Sequence, residues 1–219
     1  MENHNSEKKT CLYDSHLALG AQMSPFGGFI MPIQYSGIVD EHNAVRNDVG
    51  MFDVSHMGEV FVSGEDAEKF VNHIFTNDVA GMPDGKILYG MMLREDGGVV
   101  DDLLVYKLYE KGKYLLVVNA VNIAKDVQWI ESQAEGFDVD ISDDSEFWGE
   151  IAVQGPSSEK KLTDILGLTG LSELEFYTFR EFEWKGKRLI VSRTGYTGED
   201  GFEIYAVNEA IVDIWALLQ

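Results

Sequence analysis

Apolar side chains recur along this sequence with two periods, and these periods predict where helices and strands lie. In residues 66–75 they recur every three or four positions, so they share one face of a helix. Residues 87–94 and 99–108 favour strands, and the Glu-Asp-Gly-Gly between them is typical of a tight hairpin. The pattern therefore predicts a strand hairpin close to an amphipathic helix.

Similar reasoning extends the prediction over the whole chain. The predicted helices are residues 12–19, 38–49, 66–75, 123–135, 158–166 and 208–219. The predicted strands are residues 59–63, 87–94, 99–108, 114–119, 137–141, 150–154, 176–184, 188–192 and 202–207. Residues 24–37 contain two prolines and several glycines, so we expect an ordered loop there. The order of elements predicts an α+β fold, with antiparallel or mixed sheets and packed helices.

The ends of two predicted helices carry further expectations. Gly50 follows residues 38–49 and is well placed as a C-terminal helix cap. In residues 208–219, Ile211, Ile214 and Trp215 form an apolar stripe, with no Gly or Pro after it. We expect that stripe to be left unpacked, and the chain to be a portion of a longer protein.

Composition and charge exclude several classes of function. The 219 residues include 45% apolar residues but no uninterrupted apolar run long enough for a membrane helix. A net charge of −21, without a basic block, disfavours nucleic acid and anionic membranes as partners. Residues 1–10 resemble neither a secretory signal nor a transit peptide, and the single cysteine fits a reducing compartment, so we expect a cytoplasmic protein.

Common catalytic motifs are missing from the sequence. It has no phosphate-binding loop, no dinucleotide fingerprint and no nucleophile elbow. Its five histidines lack the spacing of metal ligands, and Cys11 has no second cysteine. We therefore expect neither a metal nor a nucleotide cofactor.

Two segments remain as candidates for chemistry. Alternation along residues 99–106 sends Asp101 and Asp102 to opposite faces, with Tyr106 on the face of Asp102. Either both carboxylates lie at a solvated strand end, or one is desolvated beside a planar ligand. In residues 195–203 the glycines either form a simple hairpin or present Tyr196 and Glu203 to a heterocycle, whose adjacent N–H donors a carboxylate accepts.

Five blocks of the sequence remain to be considered together: Met31-Pro32, residues 49–59, residues 97–106, Gln154-Gly155-Pro156, and residues 192–203, which read Ser-Arg-Thr-Gly-Tyr-Thr-Gly-Glu-Asp-Gly-Phe-Glu. In this order, over residues 12 to 218, they resemble the T-protein family of the glycine cleavage system. The resemblance implies a folate-dependent aminomethyltransferase. Such an enzyme moves a one-carbon unit from the lipoyl arm of a partner H-protein to tetrahydrofolate and releases ammonia.

The resemblance also implies roles for individual residues and a domain scheme. Asp102 matches the family's key carboxylate, and Asp101 matches a less important neighbour. The residues that match the family's folate pocket are Met57, Tyr89, Tyr106, Asn119, Tyr177, Tyr196 and Glu203. The expected scheme is a first domain in two halves, residues 1–56 and 147–219, around an inserted domain, residues 57–146. The family's C-terminal β-rich domain, and an arginine contact to the folate, would lie beyond Gln219.

Three alternatives remain open. A non-catalytic folate-binding relative would carry a cysteine within residues 193–199, and this sequence has none there. The folate domain of a flavin-dependent oxidase would require a fused dinucleotide-binding domain. A purely structural module is the remaining class, and failure to bind reduced folate would favour it.

Overall fold

The protein has the expected α+β class, in a computed structural model that describes residues 7–219. Residues 1–6, which supported the expectation about leader sequences, lie outside the described part. The helices are α1 (Tyr13–Ala18), α2 (Ile38–Asn47), α3 (Ala67–Ile74), α4 (Ile123–Ser132), α5 (Ser158–Leu166) and α6 (Asn208–Leu218). None of the helices among the described residues combines the length and apolar character that a membrane span requires.

The strands form one two-stranded ribbon and two five-stranded sheets. They are β1 (Gln22–Phe26), β2 (Phe29–Gln34), β3 (Gly50–Asp53), β4 (Gly58–Ser63), β5 (Ile87–Leu93), β6 (Val99–Lys107), β7 (Lys113–Val118), β8 (Asp140–Asp143), β9 (Trp148–Gln154), β10 (Phe179–Trp184), β11 (Lys187–Ser192) and β12 (Gly201–Val207). Ribbon β1–β2 stands alone, while the sheets have the orders β10-β11-β12-β9-β3 and β5-β6-β7-β4-β8.

The chain divides into two compact units. The first unit comprises the described part of Met1–His56 together with Gly149–Phe176 and Glu181–Gln219. The second unit comprises Met57–Trp148 and Tyr177–Arg180. Each unit has its own apolar core.

In the second unit, helices α3 and α4 cover one face of an antiparallel sheet. The apolar stripe predicted for residues 66–75 is buried there: Phe70 and Val71 have no exposed surface. Ile130 of α4 joins the same core, which includes Leu103 and Val105 of β6. Burying these side chains is the main stabilising contribution to the unit.

The first unit buries its last helix, contrary to the expectation of an unpacked stripe. Ile211 and Ile214 have no exposed surface, and Trp215 is 2% exposed. They pack in one core with Leu162 of α5 and Phe202 of β12. The apolar stripe of α6 is therefore explained by packing within the unit.

The structure corrects two further local predictions. Residues 24–37 are not a loop throughout, because most of them form the ribbon β1–β2. Gly27 and Gly28 form its two-residue turn at φ 61° and 83°, the backbone that such hairpins require. The prolines suggested a loop, yet each strand of this ribbon has one edge that faces away from its partner strand, where a missing N–H is tolerated.

The second correction concerns Gly50, which is not a helix cap. Helix α2 ends at Asn47, and Gly50 begins β3, where it pairs with Gln154. A Cβ at position 50 would lie 2.4 Å from Cγ2 of Val45. The glycine therefore permits close packing of β3 on α2 rather than a turn.

Candidate active site

Asp102 lies on β6, between β5 and β7 in the sheet of the second unit. It pairs with Met91 of β5, and continuation of the β6–β7 register places Asn119 on its other side. Asp102 and Leu104 are half-buried on one face of β6, while Asp101 is buried on the core face. The alternating direction of side chains along β6 thus places the two adjacent carboxylates on opposite faces of the sheet.

Two donors orient the carboxylate of Asp102. The hydroxyl of Tyr89 donates to Oδ2 at 2.9 Å, and the amide Nδ2 of Asn119 donates to Oδ1 at 3.2 Å. The hydrogen bond to Asp102, together with its negative charge, raises the pKa of Tyr89, so the phenol remains a donor. We call these three residues, Tyr89, Asp102 and Asn119, the Asp102 cluster.

The other predicted folate residues of the second unit have different surroundings. Tyr106 has no exposed surface, and its ring centroid lies 5.4 Å from that of Phe179. A planar ligand would reach this ring only after a neighbour such as Phe179 moved aside. Met57, directly before β4, and Tyr177 are half-buried. Tyr177 has φ 61°. A bulky residue adopts this backbone conformation rarely, and the residues that do so are often at functional sites.

Glu203 is the second carboxylate of interest, and it lies in the first unit. It is 6% exposed on β12, where it pairs with Ser192 of β11. Thr194 donates a hydrogen bond from Oγ1 to Oε2, and the Tyr205 hydroxyl reaches the same oxygen at 3.5 Å. Burial raises the pKa of Glu203, although both hydrogen bonds oppose the shift.

Tyr196 lies in the same unit, in the glycine-rich segment before β12. Its ring packs edge-on against Phe52 with centroids 5.8 Å apart, yet 63% of the residue is exposed. The expected exposure of this ring is therefore present in the structure. An exposed aromatic ring is suited to packing on a planar ligand.

The side chain of Gln154 holds the glycine-rich segment before β12 through hydrogen bonds. Its Nε2 donates to the carbonyl of Thr194 at 3.1 Å, and its Oε1 accepts from Thr197 at 2.8 Å. A Cβ at Gly195 would lie 2.1 Å from that Oε1, and a Cβ at Gly201 would lie 2.4 Å from Nε2. The two glycines are therefore required by a fully buried glutamine as well as by the turn.

Several polar residues that are buried in the structure were not predicted from the sequence as functional or structural positions. Gln154 entered only as part of a quoted motif, and Asp126 was not considered. A helical projection of residues 123–135 would have found Asp126, because it falls on the apolar face with Ile123, Val127 and Ile130. No local signal reveals the buried pair His16 and Asp53, since the two residues lie 37 positions apart.

Comparisons with known proteins agree with the fold. Residues 12–219 match the model of the family described as GCVT N-terminal domain. Over 212 residues the chain is 50% identical to an aminomethyltransferase from Thermosipho melanesiensis and 45% identical to one from Staphylococcus epidermidis. Both matches cover 96% of this chain and 58% of the relative. The chain therefore spans less than two thirds of the length of these relatives.

Comparison with solved structures also finds an aminomethyltransferase with a similar fold. The crystal structure of glycine cleavage system aminomethyltransferase T from Bartonella henselae superposes with a TM-score of 0.89 at 34% identity. That match covers 97% of this chain and 57% of the other. A heterotetrameric sarcosine oxidase from Corynebacterium sp. U-96 gives a TM-score of 0.58 at 12% identity, which is a likeness of fold alone.

Proposed function

Because the chain belongs to the GCVT N-terminal domain family, we propose that it is the folate-binding part of an aminomethyltransferase of the glycine cleavage system. The donor would be an aminomethyl group on the lipoyl arm of an H-protein, and the acceptor would be tetrahydrofolate. Release of ammonia and transfer of the carbon would give methylenetetrahydrofolate. The observation that carries the proposal is the half-buried Asp102, oriented by Tyr89 and Asn119.

Asp102 would act in this reaction as a fixed negative charge. Positive charge develops on the one-carbon unit as it leaves nitrogen and sulfur, and a carboxylate in a fixed position stabilises that charge. The donors from Tyr89 and Asn119 hold both oxygens, so the side chain loses little freedom when the substrate arrives. Its half-buried position leaves part of the carboxylate free to face a ligand.

Glu203 would receive the donor edge of the pterin ring. Both of its hydrogen bonds among the described residues end on Oε2. Adjacent N–H groups of a pterin could therefore be accepted by a carboxylate whose Oε1 receives no donor from residues 7–219. Burial raises the pKa of Glu203, so binding to the ionised form would become tighter as the pH increases through that pKa.

The remaining residues would pack on or bond to the folate. We propose contacts from aromatic rings, a thioether and an amide: Met57, Tyr89, Tyr106, Asn119, Tyr177 and Tyr196. Aromatic and thioether groups contact planar rings favourably. Among these residues, Tyr106 requires the largest rearrangement, since it is fully covered.

Calorimetric titration of the 219-residue chain with tetrahydrofolate tests the binding part of the proposal. We expect saturable binding with one folate per chain. Turnover is tested in the same chain extended past Gln219 with the C-terminal part of the Thermosipho melanesiensis relative, using aminomethylated H-protein. Absence of binding in both forms would exclude the proposal, and binding without turnover in the extended form would favour the non-catalytic alternative.

Asp102→Asn tests the catalytic carboxylate. An amide nitrogen would then face either Tyr89 or Asn119, and the fixed charge would be lost. We expect kcat to decrease about a hundredfold or more, as when other electrostatic stabilisers are removed. Asp84→Asn makes the same change of charge at an exposed position of the same unit and should leave kcat unchanged. Equal rates in wild type and Asp102→Asn would remove Asp102 from the mechanism.

A further inference from the structure

Asp126 is an acid on the buried face of α4. The residue has no exposed surface, and it lies among the apolar side chains Ile123, Val127 and Ile130. The Nζ of Lys125 is 3.4 Å from its Oδ1, but that ammonium also donates to the carbonyl of Val100. A charged carboxylate at such a position is costly unless it is well paired.

The bond from Lys125 to the carbonyl of Val100 brings the adjacent residues, Asp126 of α4 and Asp101 of β6, close together, and a hydrogen bond between the two carboxyls contributes to the pKa of each. If both groups were ionised, three of their four oxygens would receive no hydrogen bond from residues 7–219: Oδ2 of Asp101 and both oxygens of Asp126. Two carboxylates cannot bond to each other without a shared proton. One proton on Asp126 supplies the missing donor and removes one of two like charges.

The electrostatics agree with this position of the proton. The pKa of Asp126 is raised to about 8: burial is the largest cause, the hydrogen bond and charge of Asp101 act in the same direction, and Lys125 opposes them. Burial alone would also raise the pKa of Asp101. Hydrogen bonds from Asp126, Asn119 and Asn122 outweigh burial and hold the pKa of Asp101 below its usual value. Asp126 is therefore the neutral partner and Asp101 the ionised one at neutral pH.

Asn119 connects this pair to Asp102. Its Nδ2 donates to Oδ1 of Asp101 at 3.1 Å and to Oδ1 of Asp102 at 3.2 Å. It also reaches the backbone carbonyl of Asp102 at 3.0 Å. The orientation of this amide therefore depends on the carboxylates on both faces of β6.

We propose that neutral Asp126 is a positioning residue: it donates to Asp101, which fixes the amide of Asn119 and, through it, the carboxylate of Asp102. This inference rests on the proposed function, since Asp102 is the group whose position matters. The charged or titratable groups that face Asp126 are Lys125 on its own helix and Asp101 on β6.

Asp126→Asn keeps a neutral hydrogen-bond donor at this position, and Asp126→Leu removes it. Asparagine retains an N–H donor toward Asp101 without a negative charge, so we expect kcat of the extended protein within about twofold of wild type. Leucine fills a similar volume without a donor, and we expect kcat to decrease about tenfold to a hundredfold. Folate affinity of the 219-residue chain should stay unchanged in Asp126→Asn, because the donor that holds Asn119 through Asp101 is kept. Glu131→Gln, exposed on the same helix, is the matched control.

The pH profile is a readout that a merely structural role would not change. The wild-type rate should decrease as the pH increases through the pKa of Asp126, because the donor is lost and a second charge appears beside Asp101. In Asp126→Asn this alkaline decrease should be absent. Equal impairment of both variants at neutral pH, or an unimpaired Asp126→Leu that remains folded by urea unfolding, would overturn the inference.

Infrared spectroscopy distinguishes failure of the inference about Asp126 from failure of the proposed function. In the 219-residue chain, the wild-type minus Asp126→Asn difference spectrum should contain the C=O band of a protonated carboxyl group at neutral pH. Absence of that band contradicts the inference whether or not the protein is an enzyme. If the band is present and the wild type neither binds folate nor turns over, the proposed function is wrong and the positioning role fails with it.

Discussion

Replacement of His16 by leucine is the sharpest test of what stabilises the first unit. His16 and Asp53 are both fully buried at their side chains, and Nε2 of the histidine lies 2.8 Å from Oδ2 of the aspartate. The Tyr35 hydroxyl lies 2.9 Å from Nδ1 of the same ring. With Nε2 donating to the carboxylate, Nδ1 accepts from the tyrosine, so the imidazole connects a charged and a neutral partner.

The expected cost follows from these contacts. Loss of a hydrogen bond to a charged group costs about 1.5–3 kcal/mol, and loss of a neutral one costs about 0.5–1.5 kcal/mol. Together they predict a decrease of about 2–4.5 kcal/mol in the free energy of unfolding of His16→Leu.

The pH dependence has a definite sign. Burial raises the pKa of Asp53, but hydrogen bonds from His16, Thr10 and Ser55 outweigh it, so the pKa lies below its usual value. The unfolded state therefore binds more protons on acidification, and the contribution of Asp53 is lost as the pH falls below its usual pKa. The difference between wild type and His16→Leu should accordingly be smaller at about pH 2.5 than at about pH 5, on either side of the usual Asp pKa of about 3.9.

Urea unfolding at both pH values, followed by tryptophan fluorescence, measures the effect. Trp215 reports directly, because its ring lies 5.2 Å from that of His16. His42→Leu, at an exposed position of α2, controls for the change of side chain and should alter stability by less than about 0.5 kcal/mol. A cost below about 1 kcal/mol for His16→Leu, or one that does not change with pH, would refute the reasoning.

Two further predictions concern a backbone position and a ligand contact. Gly155→Ala should destabilise the protein by at least about 2 kcal/mol in thermal unfolding, because φ is +132° and a Cβ would lie 2.4 Å from the carbonyl oxygen of Asp48. Gly136→Ala, at φ +87° with open space around it, should cost only about 1–2 kcal/mol, and equal costs would contradict the steric argument. Glu203→Gln should weaken tetrahydrofolate binding about tenfold to a hundredfold in calorimetry without changing the melting temperature. It should also remove the increase of affinity with pH; unchanged affinity would exclude Glu203 as the pterin contact.

Local patterns were sufficient for much of the fold. The helical stripe at residues 66–75 and the hairpin around residues 95–98 were predicted correctly, because each depends on neighbours in sequence. The ribbon at Gly27 and Gly28 was missed, since its prolines indicate a loop unless the open edges are known. The buried face of α6 depends on the distant strands β9 and β12, which no local pattern identifies.

For the candidate site, the sequence predicted which face of its strand each aspartate lies on, but not which residues it contacts. Alternation along β6 correctly separates Asp101 from Asp102, since side-chain direction is a local property. It cannot show that Asn119 donates to both, because that contact requires the register of β6 and β7. Nor can it reveal the burial of Tyr106 against Phe179, which is 73 residues away in sequence.

The tight packing around Gln154 has a consequence for how this protein can change over evolutionary time. A methyl group at Gly195 collides with this amide, so that substitution would require a shorter residue at position 154 first. At Gly201 a methyl group would also lie 2.7 Å from the carbonyl oxygen of Val153, which a shorter residue at position 154 does not relieve. That shorter residue would in turn leave Thr197 and the carbonyl of Thr194 without their partner. Positions 154 and 195 therefore form an epistatic pair: each single step is harmful, and variation at one becomes accessible only when the other changes with it.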